Sequence, residues 1–154
     1  MGLFMGLPTF TQAQRLLTAL LLLALLSGCS TISQQDSKTE EYTREISEQI
    51  ADLLFKLEGL NKQEPDCNYE NFSEDYRQIR VRLNTLLIRE QTKLKNTQTA
   101  GQVEDLQKSL GHLISMHRDG CLSAGEAIIL QKQFNSLVSN IMTLEQAKPQ
   151  SSLF

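Results

Sequence analysis

Residues 44–60, REISEQIADLLFKLEGL, decide the fold. Ile46, Ile50, Leu53, Leu57 and Leu60 recur at steps of four, three, four and three, which a helix gathers into one apolar stripe. Working outward, Ser37 followed by Glu40 reads as a capping box and starts the helix near Thr39. Beyond Leu60, residues 61–71 form a polar connection containing Pro65 and Cys67. Ser73 is placed to cap a second helix running to about Lys95. There Phe72, Tyr76, Ile79, Leu83 and Leu86 repeat the same steps, and Leu87 and Leu94 widen the face.

Residues 96–101, rich in Thr, Gln and Asn, read as a turn. A third helix over about Gln102–Arg118 carries Val103, Leu106, Leu110 and Leu113 on one side. His117 falls in register with them as a partly buried structural histidine, and Gly111 marks a point of close helix–helix approach. Gly120 lies just beyond that helix. Ser123 and Glu126 make a second capping box, and Leu122 begins a hydrophobic staple. The last helix, about Ala124–Gln146, shows Ala127, Leu130, Phe134, Leu137, Ile141 and Leu144. Pro149 and the polar residues after it end the fold, with Leu153 and Phe154 in the tail. Trp is absent and Pro scarce, which agrees with helices. The expected fold is all-α: a small antiparallel bundle of four helices.

The first thirty residues carry a different signal. Arg15 is followed by the apolar run Leu16–Leu26, broken only by Thr18. Eleven residues are too few to span a bilayer, where about 20 are needed, but they suit the apolar core of a secretory signal peptide. The run ends on Leu26-Ser27-Gly28-Cys29, which resembles the lipobox of bacterial lipoproteins. The resemblance implies cleavage between Gly28 and Cys29 and lipidation of Cys29. It also implies attachment to the membrane through acyl chains, more than one of which is generally required for stable anchoring. Ser30 stands where an aspartate typically retains such proteins in the inner membrane, so the resemblance favours the outer membrane, with the domain facing the periplasm. The implied organisation is a signal peptide at 1–28, a lipidated cysteine and tether at 29–38, a bundle at 39–147 and a polar tail at 148–154.

In the oxidising periplasm that this resemblance implies, the two remaining cysteines, Cys67 and Cys121, are expected to form a disulfide. An up-down-up-down order agrees, because it brings the first and third connections to the same end. The termini then lie at the other end, and the stapled end points away from the membrane.

The chain has 18 acidic groups against 15 basic ones, and one of the latter, Arg15, would leave with the leader. An acidic surface gives no electrostatic case for nucleic-acid binding. Charge is divided unevenly: Glu40, Glu41, Glu45, Glu48, Asp52 and Glu58 crowd the first helix. The second helix bears Arg77, Arg80, Arg82, Arg89, Lys93 and Lys95. Arg77, Arg80 and Arg82 form a candidate partner-docking patch. Glu64, Asp66, Glu70, Glu74 and Asp75 make an acidic first connection, without the regular ligand spacing of a calcium loop.

No nucleophile elbow, zinc-protease helix, phosphate loop or dinucleotide fingerprint is present in the sequence. His117 and Cys121, with His112 nearby, have ligand-like spacing but too few partners for a convincing zinc site. We therefore expect no catalytic residues, cofactor or metal. The expected role is a non-enzymatic interaction or assembly lipoprotein supporting an envelope protein complex. In architecture alone the chain resembles the small helical pilot lipoproteins of secretion systems. The alternative is an immunity or inhibitor lipoprotein that neutralises a toxin or cell-wall hydrolase, with the acidic first connection entering its target.

Overall fold

The computed structural model describes residues 32–60 and 65–150, together with Gln14. The expectations for Arg15, the 26–29 quartet, Glu64, Leu153 and Phe154 lie outside the described residues. Four α-helices follow one another: α1 (Ser37–Glu58), α2 (Ser73–Thr92), α3 (Thr97–Asp119) and α4 (Ala124–Gln146). Two short 3-10 turns, Pro65–Cys67 and Tyr69–Phe72, lie between α1 and α2. Helix α1 packs against α2 and α4, and α3 packs against the same two, so the helices form an up-down-up-down bundle. No described helix is long and apolar enough to cross a membrane.

The stripes meet in the centre. Ile46, Ile50, Leu53 and Leu57 from α1 join Tyr76, Ile79, Leu83 and Leu86 from α2. Val103, Leu106, Leu110 and Leu113 come from α3, and Leu130, Phe134 and Ile141 from α4. Each fully buried aliphatic or aromatic side chain contributes about 2 kcal/mol relative to exposure. Cys67 and Cys121 are joined by a disulfide, with Cα atoms 5.5 Å apart, so the first and third connections share one end.

Helix α4 starts on its sequence signal. Ser123 accepts from the Glu126 N–H, and the Glu126 carboxylate accepts from the Ser123 N–H at 2.7 Å. Helix α1 does not. Its N-cap is Asp36, whose carboxylate accepts from the Lys38 N–H at 3.0 Å, leaving Ser37 as the first helical residue. Asp36 wins because Arg89 of α2 also holds it, at 2.6 and 3.0 Å, whereas Ser37 gains no such partner.

The residues before α1 are not a free tether in their described part. The Ser33 N–H donates to the Lys95 carbonyl at 3.2 Å, and the Gln35 N–H to the Pro149 carbonyl at 3.0 Å. Residues 33–36 form a strap across the end where the α2–α3 turn and the α4 terminus lie.

That turn is shorter than its composition suggests. It spans residues 93–96, and α3 already begins at Thr97 with Thr99 and Ala100 buried. Asn96 makes the short turn workable: its amide donates to the Glu90 carbonyl and carboxylate, and its oxygen accepts from Ser33 and Lys148. Lys95 takes a left-handed backbone, φ 60°, a conformation that costs a non-glycine residue roughly 1 kcal/mol. Leu94 lies beyond the end of α2 and is 87% exposed, so it does not widen the α2 face. Gly111 is not a close-approach point either, since a Cβ there would meet nothing within 4 Å.

Candidate functional site

Two assemblies of polar side chains stand out, one at each end of the bundle. At the stapled end, the disulfide ties the first connection to the third, just beyond the end of α3. This sets the Cys67 carbonyl against His117, with Nε2 donating across 2.7 Å. The ring's other nitrogen, Nδ1, lies 2.8 Å from the Tyr76 hydroxyl. A carbonyl can only accept, so in the neutral imidazole Nε2 carries the proton and Nδ1 accepts from the phenol. Burial pushes the Tyr76 phenol well above its ordinary range, which keeps that donor protonated. Both ring nitrogens are thereby occupied, and His117 is a buried strut. His112 is exposed. Among the described residues, no group of three or more His, Cys, Asp or Glu side chains is gathered as metal ligands would be.

Around this strut is an aromatic shelf. Tyr69 stacks on Tyr76 with centroids 5.4 Å apart, and the Arg118 guanidinium lies 4.5 Å above the Tyr69 ring. The shelf opens into a groove of about 550 Å³ beside α2, lined by Tyr69, Tyr76, Arg77, Arg80, Val81 and Gln107 among others. A second hollow of about 330 Å³ continues along α3, sharing Arg80 and Gln107 and adding Gly111, Ile114 and Arg118. The edges of the stripe residues Tyr76 and Leu110 form part of the floor, with Val81 and Ile114, and polar helix neighbours furnish the rest. Among the described residues lining these hollows, none is acidic.

The arginine patch is thus brought together in part. Arg77 and Arg80 share the groove, with Arg77 also gripping Glu74 at 2.6 and 2.7 Å. That grip holds the Glu74 carboxyl down at about 2. Arg82 points elsewhere and pairs with Glu45 across the α1–α2 interface. Arg118 takes its place beside Arg80, a replacement invisible from α2 alone. Within the acidic connection, Asp75 meets Lys56 of α1 at 3.4 Å.

At the opposite end, three carboxylates and three cations close a clasp under the N-terminal strap. Glu90, with no exposed side-chain surface, accepts from Thr39, Lys93 and Asn96 at 2.6–2.7 Å. Glu145, equally buried, accepts from Thr99 at 3.1 Å, from the Asp36 N–H at 3.3 Å and from Lys148. Asp36 completes it, paired with Arg89 and Lys93. Burial opposes the charge on Asp36, but hydrogen bonds from Lys93 and Arg89 outweigh it and hold the carboxyl far below its ordinary range. Sequence reasoning passed over Glu90 and Glu145. The available signal was register: Glu90 continues the Ile79-Leu83-Leu86 stripe, and Glu145 follows Ile141 by four. No protein-family model, curated protein or solved structure matches this chain.

Proposed function

We propose that this chain is a lipid-tethered, non-enzymatic interaction or assembly protein of the bacterial envelope. Cys29 carries the anchor in the outer membrane, and the helical bundle works in the periplasm. The observation that carries the reading is the Cys67–Cys121 disulfide, a bond that persists in oxidising compartments. It stands in a chain whose residues 26–29 resemble a lipobox. Confinement to a surface raises the effective concentration of domain and partner, which favours assembly over capture from solution.

The partner in this reading is an envelope protein that presents an acidic segment to the α2–α3 groove. Support comes from charge: Arg80 and Arg118 line the adjoining hollows without a carboxylate among the described lining residues, while Arg77 beside them is paired with Glu74. A secretion-system pilot is one instance of this class. The inhibitor reading draws less support, because Glu74 is engaged by Arg77 and Gln78, and Asp75 by Lys56.

Two measurements test the proposal. Cys29→Ala should move the protein from the membrane fraction to the soluble fraction after high-salt washing; retention in the membrane would remove the anchor. A photocrosslinking residue at Arg80 in intact envelopes should then capture a component of an endogenous envelope complex. Capture of a single foreign toxin or hydrolase would replace assembly with inhibition.

A further inference from the structure

We infer that the α2–α3 turn, residues 93–96, is the face through which the bundle rests on a lipid bilayer, with Leu94 and Ile32 entering the interfacial layer. The inference rests on the acylation of Cys29 proposed above. It adds a second, non-covalent membrane contact at a named face.

The first observation is exposure. Leu94 is the most exposed large apolar side chain among the described residues, at 87%, and Ile32 is 47% exposed. Their backbone segments are adjacent. Ser33, the residue after Ile32, is bound to the turn through its N–H, which donates to the Lys95 carbonyl, and through its hydroxyl, which donates to Asn96 Oδ1 at 2.8 Å. The second observation is position: Leu94 sits in the short turn, next to Lys95 with its left-handed backbone, and not on a helix face that another helix could cover.

The length of chain to the anchor names the occupant. From Cys29 to Ser33 there are four residue steps, which reach at most about 14 Å when fully extended. The clasp removes further slack, because Asp36 is held by Arg89 and Lys93, and its N–H by Glu145. An acylated Cys29 would therefore keep the turn within reach of the headgroup layer, where exposed apolar side chains are stabilised by insertion. The groove and the disulfide, toward the other end of the bundle, would then face the periplasm.

The chain contains no tryptophan, so Leu94→Trp introduces a single fluorescent reporter. Phe55→Trp, at a 73%-exposed position near the stapled end of α1, serves as the control. The mature acylated protein is placed in phosphatidylethanolamine–phosphatidylglycerol vesicles with or without brominated acyl chains. The expected result is a severalfold bromine-dependent loss of emission for Leu94→Trp and none for Phe55→Trp. If the Leu94→Trp protein floats with the vesicles yet is quenched only by aqueous iodide, as the control is, the docking face is overturned and the anchor stands. Blue-shifted emission without bromine quenching would overturn it in favour of a protein covering the turn. Failure of the unsubstituted protein to float, with no acyl mass on Cys29, would overturn anchor and docking face together.

Discussion

His117 shows how much one side chain carries in a domain of this size. It joins α2 to the first connection through two short buried hydrogen bonds, and Tyr69, Phe72 and Tyr76 surround its ring. Its removal would leave the Tyr76 hydroxyl and the Cys67 carbonyl buried without that partner, beside a new cavity. We expect His117→Ala to lower stability by about 3 kcal/mol in urea denaturation, and Tyr76→Phe by about 1 kcal/mol. Equal losses from the two variants would mean that neither the bond to Cys67 nor the packing of the ring contributes beyond the Tyr76 bond. The stripe spacing was enough to bring His117 inward. Its partners were not readable, because they come from residues 41 and 50 positions away.

Among the elements, α3 departs furthest from its sequence reading. It starts at Thr97, inside the segment that composition assigns to a turn, because buried Asn96 and Thr99 find partners on other helices. Composition records only local preference, and here tertiary hydrogen bonds outweigh it. Helix α4 is the converse case: its capping signal is complete within four residues, so nothing distant was needed to place its start. Gly111 belongs to the same lesson. A mid-helix glycine beside leucines suggests a tight crossing, yet it lies on the open side of α3 and lines a hollow. With space for a methyl group and ordinary helical backbone, Gly111→Ala should stabilise the fold by about 1 kcal/mol, read as a raised thermal midpoint. A destabilised variant would show that α3 makes a close contact there after all.

Across the whole molecule, the two ends are closed by different chemistry. The disulfide closes a loop of 54 residues at one end and should restrain the unfolded chain by roughly 4 kcal/mol. Cys67→Ser with Cys121→Ser is therefore expected to lose about 4 kcal/mol, a large share of a small domain's margin of about 5–15 kcal/mol, as a lowered urea midpoint. Reducing agent should produce the same loss in the unsubstituted protein and none in the double variant. A midpoint unmoved by reduction would show that the clasp and core hold the fold without the bond. The clasp itself is built from polar breaks in four separate stripes: Thr39 on α1, Glu90 on α2, Thr99 on α3 and Glu145 on α4. Each break looks unremarkable in its own helix. With Asp36, Arg89, Lys93 and Lys148 they form one charge-balanced layer, because antiparallel packing brings the start of α1 and α3 to the end of α2 and α4.

Periodicity and chain order determined by themselves that this protein is four amphipathic helices and which faces would be buried, since those properties depend on neighbours within two turns. The same local information marked the α4 cap and the lipobox-like quartet. Only the tertiary structure decided that Asp36 caps α1, that Arg118 joins Arg80 at the groove while Arg82 does not, and that the strap before α1 is bound. Each of those outcomes turns on a hydrogen bond, ion pair or groove neighbour from another element, and spacing along one helix does not encode which helix lies beside it.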